Sequence, residues 1–174
     1  PPTVQFDEAD YAPKRFLQRT PVYYPGIELI ADAELSVASD PYLADHVYHN
    51  QRLFPAVLGL EAMSQAAMVL WDSDEQPCIK EVAFNRAVIV PPEDGRTIRL
   101  CALRRTPHVV EVALRSDETE YQFDHFRATF HMRDTDRISS GQALDNTNCC
   151  HVPLDPDSDL YGDIMFQSGC FRRL

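Results

Sequence analysis

Apolar residues crowd one stretch of this chain. Between positions 57 and 71 nearly every residue is apolar, among them Val57, Leu58, Leu60, Met63, Met68, Val69, Leu70 and Trp71. A helix there would be hydrophobic on almost every side, and such a helix belongs inside a fold rather than on its surface. Its polar exceptions, Glu61, Ser64 and Gln65, stand at i, i+3 and i+4 and so share one face. Pro55 suits the first turn, where a missing N–H costs nothing.

A second rhythm, of period two, precedes the helix. Over residues 27–37, Ile27, Leu29, Ala31, Ala33, Leu35 and Val37 alternate with Glu28, Asp32, Glu34 and Ser36, Ile30 being the exception. This predicts a half-buried strand, begun after Pro25 and Gly26. Ser39, Asp40 and Pro41 then turn the chain toward His46. Beyond the helix, strand patterns recur over residues 79–90, 97–105, 109–115 and 121–132, separated by short polar or proline-bearing turns. Consecutive strands joined by short turns pair antiparallel by default. One strand, one buried helix and four further strands predict an α+β plan with the helix on one face of the sheet.

Composition narrows the class. The 174 residues suffice for one domain with a real core, at 44% apolar and 25% charged residues. No apolar run reaches the ~18 residues of a membrane span, and residues 1–20 lack the pattern of a signal peptide. Five cysteines without C-x2-C spacing fit reduced thiols and a cytoplasmic setting. A net charge of −11, from 16 basic and 27 acidic residues, argues against a nucleic-acid partner. Residues 1–20 carry three prolines and no periodicity, and read as a linker or arm leading to a domain over 21–133. Residues 134–159, rich in Asp, Ser, Asn and Pro, read as a linker.

The stretch from His46 to Pro55, HVYHNQRLFP, resembles the H-x3-G-x4-P motif of polyketide synthase dehydratase domains, with Asn50 where the motif has glycine. The residues before it, Pro41 to Asp45, are also similar to that family. Leu58 to Gln65 resembles the central helix of the bacterial β-hydroxyacyl-carrier-protein dehydratases. The mixture is similar to the dehydratase region of iterative synthases of the enediyne and polyunsaturated-fatty-acid type. The resemblance implies a hotdog fold, an antiparallel sheet wrapped around one long helix, here the first half of a double hotdog. Residues 160–174 resemble the opening of the second half. Implied with it are loss of water from 3-hydroxyacyl groups and an acyl carrier protein as partner, the substrate riding on its phosphopantetheine. No metal or redox cofactor is implied. The facing unit would be the second half of the same polypeptide, or another copy in a homodimer. Thioester hydrolysis, double-bond isomerisation and a non-catalytic scaffold role stay open, because fold does not fix function.

Dehydration needs a base at Cα and an acid at the departing hydroxyl. By the resemblance the base is His46; an imidazole of pKa about 6.5 is neutral and basic at cellular pH. A loop histidine capping the helix is the alternative. His49 lacks the motif register. The family's acid is an Asp in a D-x3-Q/H motif on the second hotdog's helix. Asp163 and Gln167 match that string but precede the expected helix, so the acid is expected beyond Leu174. In the stand-alone dehydratases the acid occupies the position of Glu61; a carboxylate buried among Leu60, Met63 and Ala67 would have a raised pKa. A Glu61 held by Gln65 for structure is the competing reading. Tyr42, Asn50, Phe54, Pro55, Leu58 and Gln65 are candidates to line the acyl tunnel. Cys149, Cys150 and His151 have poor zinc spacing. His125 and His131 read as cross-strand packing. The pairs Arg104–Arg105 and Arg172–Arg173 could attract an acidic carrier protein or a phosphate.

Overall fold

Eight strands and one long helix follow each other along residues 15–132, the part of the chain that the computed structural model describes. In chain order these are β1 (Arg19–Tyr24), β2 (Glu28–Leu35), β3 (Val47–Tyr48), β4 (Gln51–Arg52), α1 (Ala56–Trp71), β5 (Cys78–Phe84), β6 (Arg96–Thr106), β7 (Val109–Ser116) and β8 (Phe126–His131). Six of them form one sheet in the order β1-β2-β6-β7-β8-β5, and every neighbouring pair is antiparallel. The remaining two, β3 and β4, make a separate hairpin. Contacts divide the chain into Pro1–Arg133 and Asp134–Leu174. The expected linker over 134–159 and the expected second unit from 160 lie outside the described residues.

The alternation in the sequence becomes the two faces of this sheet. Leu29, Ala31, Ala33 and Leu35 of β2 are buried, as are Ile98, Leu100 and Ala102 of β6, Val110, Val112 and Leu114 of β7, and Phe126, Ala128 and Phe130 of β8. The helix α1 lies against β2, β6, β7 and β8. From Ala62 to Trp71 it is buried all round apart from Gln65, as a helix apolar on almost every side must be. The small residues Gly59, Ala62, Ala66 and Ala67 let the backbones approach: a Cβ on Gly59 would sit 2.5 Å from the Phe126 ring. This is the hotdog plan that the resemblance implied.

The details differ from the sequence reading in four places. A sixth sheet strand, β1, begins at Arg19 inside the stretch expected to be an arm, and Phe16 ahead of it is buried. Its short, half-exposed run RTPVYY carries too little alternation to announce a strand. Residues 79–90 do not form one strand. β5 is bulged, with Glu81 in the left-handed region at φ +52°, and the sheet loses the chain after Phe84. Residues 88–90 instead support the loop after His46: Phe54 N–H donates to Val88 O at 2.9 Å and Val90 N–H to Arg52 O at 2.9 Å. The last strand starts at Phe126 rather than Tyr121, because Glu120 and Tyr121, at φ +52° and +60°, turn the chain. Finally, α1 starts at Ala56, one residue early, and Leu60 is half-buried against the core rather than inside it.

On the outer face, Asp32 is 2% exposed and accepts from Arg99 (2.7 and 3.0 Å) and Arg19 (2.9 Å). Burial works to raise its pKa, but the hydrogen bonds and charges of the two guanidiniums outweigh it and hold the carboxyl below its ordinary value. Arg99 also stacks over the Tyr121 ring, 3.9 Å from its centroid.

Candidate functional site

The site begins at a turn. After β2 the chain bends through residues 36–40, where Asp40 N–H donates to Ser36 O at 2.7 Å, and Pro41 opens a single 3-10 turn, Pro41–Ala44. Leu43, fully buried, seats that turn in the core. The Asp40 side chain is 2% exposed and accepts from both the Nε (3.1 Å) and the Nη2 of Arg15, from Ser36 N–H (3.2 Å), from Ser39 Oγ (2.8 Å) and from Tyr42 Oη (3.0 Å). The phenol of Tyr42 is thereby held protonated: burial first, then the Asp40 charge, push its pKa well up.

His46 follows within one turn. Its N–H donates to Tyr42 O at 3.1 Å, and its carbonyl accepts from Leu53 N–H at 3.0 Å. Between those two anchors runs the β3–β4 hairpin, with Val47 opposite Arg52 and Tyr48 opposite Gln51. A two-residue connection of the type I′ kind needs φ > 0 at both central positions. His49 and Asn50 supply it, at φ +47° and +61°. Here Asn50 occupies the glycine position of the motif, and asparagine is among the few residues that tolerate this region. The His46 ring is half-buried, and burial lowers its pKa from the ordinary imidazole value. It is therefore neutral at pH 7, able to accept a proton. His49 is exposed at the hairpin tip, edge-on to Tyr48 at 4.1 Å.

The helix presents its polar stripe beside this loop in sequence. Pro55 caps α1 with φ −60° and is buried, and Phe54 before it packs edge-on against Phe16 at 5.6 Å. Gln65 Nε2 donates to Glu61 Oε1 at 3.0 Å, and Gln65 Oε1 accepts from Phe16 N–H at 3.4 Å. Glu61 itself is exposed. Its expected burial among Leu60, Met63 and Ala67 is not found, because the first half of α1 turns one side outward, where Val57 is 68% exposed. Of the other expected lining residues, Leu58 and Tyr42 are half-buried and Asn50 is exposed.

Other candidates resolve into structure. His125 is fully buried, its Nε2 2.8 Å from Ser116 Oγ and its Nδ1 3.2 Å from Ala87 O; it joins β7 to the segment after β5. His131 lies in β8 opposite Cys78 and Val109. Arg104 donates to Thr106 O and Pro107 O, and Arg105 to Glu111. Among the described residues no group of three or more His, Cys, Asp or Glu could hold a metal ion. No helix among them is long and apolar enough to cross a membrane. Asp163, Gln167, the cysteines at 149 and 150, His151 and the Arg172–Arg173 pair lie outside the described residues. Sequence reasoning missed Arg15, Ser39 and Asp40 as a cluster. A signal existed: a serine–aspartate pair just before a proline is a helix-start signature.

Residues 20–122 match the family of the polyketide synthase dehydratase domain. Among solved structures, the dehydratase domain from the CurF module of curacin polyketide synthase is similar at 19% identity and a TM-score of 0.61, over 70% of this chain and 44% of that one. The CurK dehydratase of the same synthase is similar at 20% identity and a TM-score of 0.60, over 70% and 44%. It has also been solved as two variants described as inactive, one with histidine replaced by phenylalanine and one with aspartate replaced by asparagine. The dehydratase domain of a mycocerosic acid synthase-like polyketide synthase gives 14% identity and a TM-score of 0.60, over 72% and 43%. These likenesses show the fold, and the chain spans less than half of each of those structures. Comparison with curated protein sequences returns no match.

Proposed function

The chain belongs to the polyketide synthase dehydratase family, and from that premise we propose that it is the histidine-bearing half of a dehydratase. The substrate is a 3-hydroxyacyl group on the phosphopantetheine of an acyl carrier protein, and the product is the 2-enoyl thioester. His46 takes the proton from C2, the electron pair forms the C2–C3 double bond, and the C3–O bond breaks as an acid protonates the departing hydroxyl. Two proton transfers suffice, with no change of oxidation state. The observation that carries this reading is the half-buried His46, held by its backbone on both sides at the approach to α1, where burial works to lower its pKa. The inactive histidine and aspartate variants of the CurK dehydratase support a histidine–acid pair. On this reading the half-buried Leu58 and Gln65 of the helix meet the acyl chain, Tyr42, Phe54 and Pro55 belong to the tunnel wall, and Asn50 fixes the turn.

The acid comes from a facing unit: an aspartate of the second hotdog in the full synthase. A second reading follows from the exposure of Glu61, which makes its carboxylate available to a neighbour rather than to its own interior. In a homodimer, Glu61 of one copy would serve His46 of the other. The test is His46→Ala in the full synthase. Dehydration should fall by about 10²–10⁴-fold, the usual worth of a positioned base, and 3-hydroxyacyl intermediates should accumulate. A folded variant that still dehydrates at the original rate would end the assignment. Assaying this chain alone, with Glu61→Gln beside it, decides between the two acids.

A further inference from the structure

We propose that Asp40 is a positioning residue for His46, acting through Tyr42: the buried carboxylate fixes the phenol, and the same tyrosine's backbone carbonyl fixes the peptide from which the imidazole projects. The consequence for catalysis rests on His46 being the base, whereas the structural link does not.

The geometry runs in one line. Asp40 Oδ1 and Oδ2 together accept from Arg15, Ser36, Ser39 and Tyr42, so the carboxylate is saturated and has little freedom to move. Arg15 in turn donates to Glu34 O at 2.7 Å, which ties the cluster to the end of β2. Every donor but one belongs to the turn or to Arg15. The exception is Tyr42, whose hydroxyl reaches back to Asp40 while its carbonyl reaches forward to Asp45 N–H (3.2 Å) and His46 N–H (3.1 Å). A turn-closing role would need only Ser36 and Ser39. Reaching to Tyr42 adds nothing to the turn but sets the rotation of the 3-10 segment that leads to His46. On its far side His46 is held by Leu53, whose neighbours bond to residues 88–90. The imidazole thus sits between a charge-anchored turn and a loop anchored on residues 88–90, and its depth in the protein depends on both.

Tyr42→Phe is the sharp test, because it deletes one hydrogen bond, keeps the ring, and leaves Asp40 with Arg15, Ser36 and Ser39. Its first readout is the titration of the His46 ring followed by NMR, assigned as the resonance missing from His46→Ala. The midpoint should move up toward the ordinary value of about 6.5 as the ring gains solvent. In the full synthase, kcat should fall between about 10- and 100-fold, the scale of a misplaced catalytic group, with KM within about twofold. Asp40→Asn should reproduce both changes with Tyr42 intact, and if it does not fold, Tyr42→Phe decides alone. An unmoved titration and an unchanged kcat, with only the melting temperature lowered, would overturn the proposal and leave the cluster a structural one. A moved titration with unchanged dehydration retains the positional link and fails the general-base reading instead.

Discussion

The layer between the sheet and α1, and the loop that carries His46, are held by different forces. The layer is apolar contact: Leu29, Leu35, Met63, Leu100, Leu114 and Phe130 are fully buried. The loop is seated by Leu43 at its start and Phe54 at its end, and between them rests on hydrogen bonds that converge on Asp40 or clamp the His46 peptide. Burial is non-directional and scales with area, so it decides that a helix lies on a sheet but not how one ring is aimed. Hydrogen bonds weaken steeply with angle, so they can aim it. Stability and positioning are therefore written in separate parts of the molecule, and substitutions should separate them.

The largest effect is expected in the layer. Leu100→Ala should cost about 2–5 kcal/mol, seen as a lower denaturant midpoint at unchanged slope, and should leave the His46 titration where it was. A shifted titration would break the comparison by showing that the core aims the ring. Gly59→Ala should cost about 1–3 kcal/mol, since the new methyl meets the Phe126 ring, itself packed edge-on against Phe84 at 5.1 Å. Full stability in that variant would mean that α1 has room to move off β8. In the loop, Asn50→Ala should cost about 1 kcal/mol for a left-handed residue without a tolerant side chain, while Asn50→Gly should be neutral or slightly stabilising. Equal stabilities for both would say that the hairpin turn is not held as described. The smallest effect concerns acid. His46 has a lowered folded pKa, so its contribution is intact above about pH 6.5 and is lost as pH falls through the folded value. Stability curves for the parent and for His46→Phe should converge in their pH slope above that range and diverge below it.

The fold was legible because period and length carry it. Helix α1 and strands β2, β6 and β7 fall within two residues of where the pattern places them, since each buries a whole face. Strands β1 and β5 were not legible in full. Both lie at sheet edges, where neither strand has a buried residue and a bulge resets the alternation. At the site, the motif marked position 50 as a glycine position, and the backbone of Asn50 is left-handed there. The exposure of Glu61 was not: sequence neighbours that are apolar do not say on which side of a helix the core ends. Asp40 and Asp32 escaped for a related reason. A carboxylate reads as surface until its arginines are placed, and Arg99 comes to Asp32 from far along the chain.

The pairing of β2 with β6 has a consequence for how the chain is made. β2 lies between β1 and β6, so the strand that completes its inner face is synthesised only after α1 and β5 have emerged. During that interval an almost wholly apolar helix has no sheet to cover it. Closing the sheet then waits on contacts between distant parts of the chain, which are slow to form because the intervening segment must first be ordered. The order of synthesis places the most aggregation-prone segment ahead of its cover, so refolding yield should fall with protein concentration and recover when a holding chaperone is present.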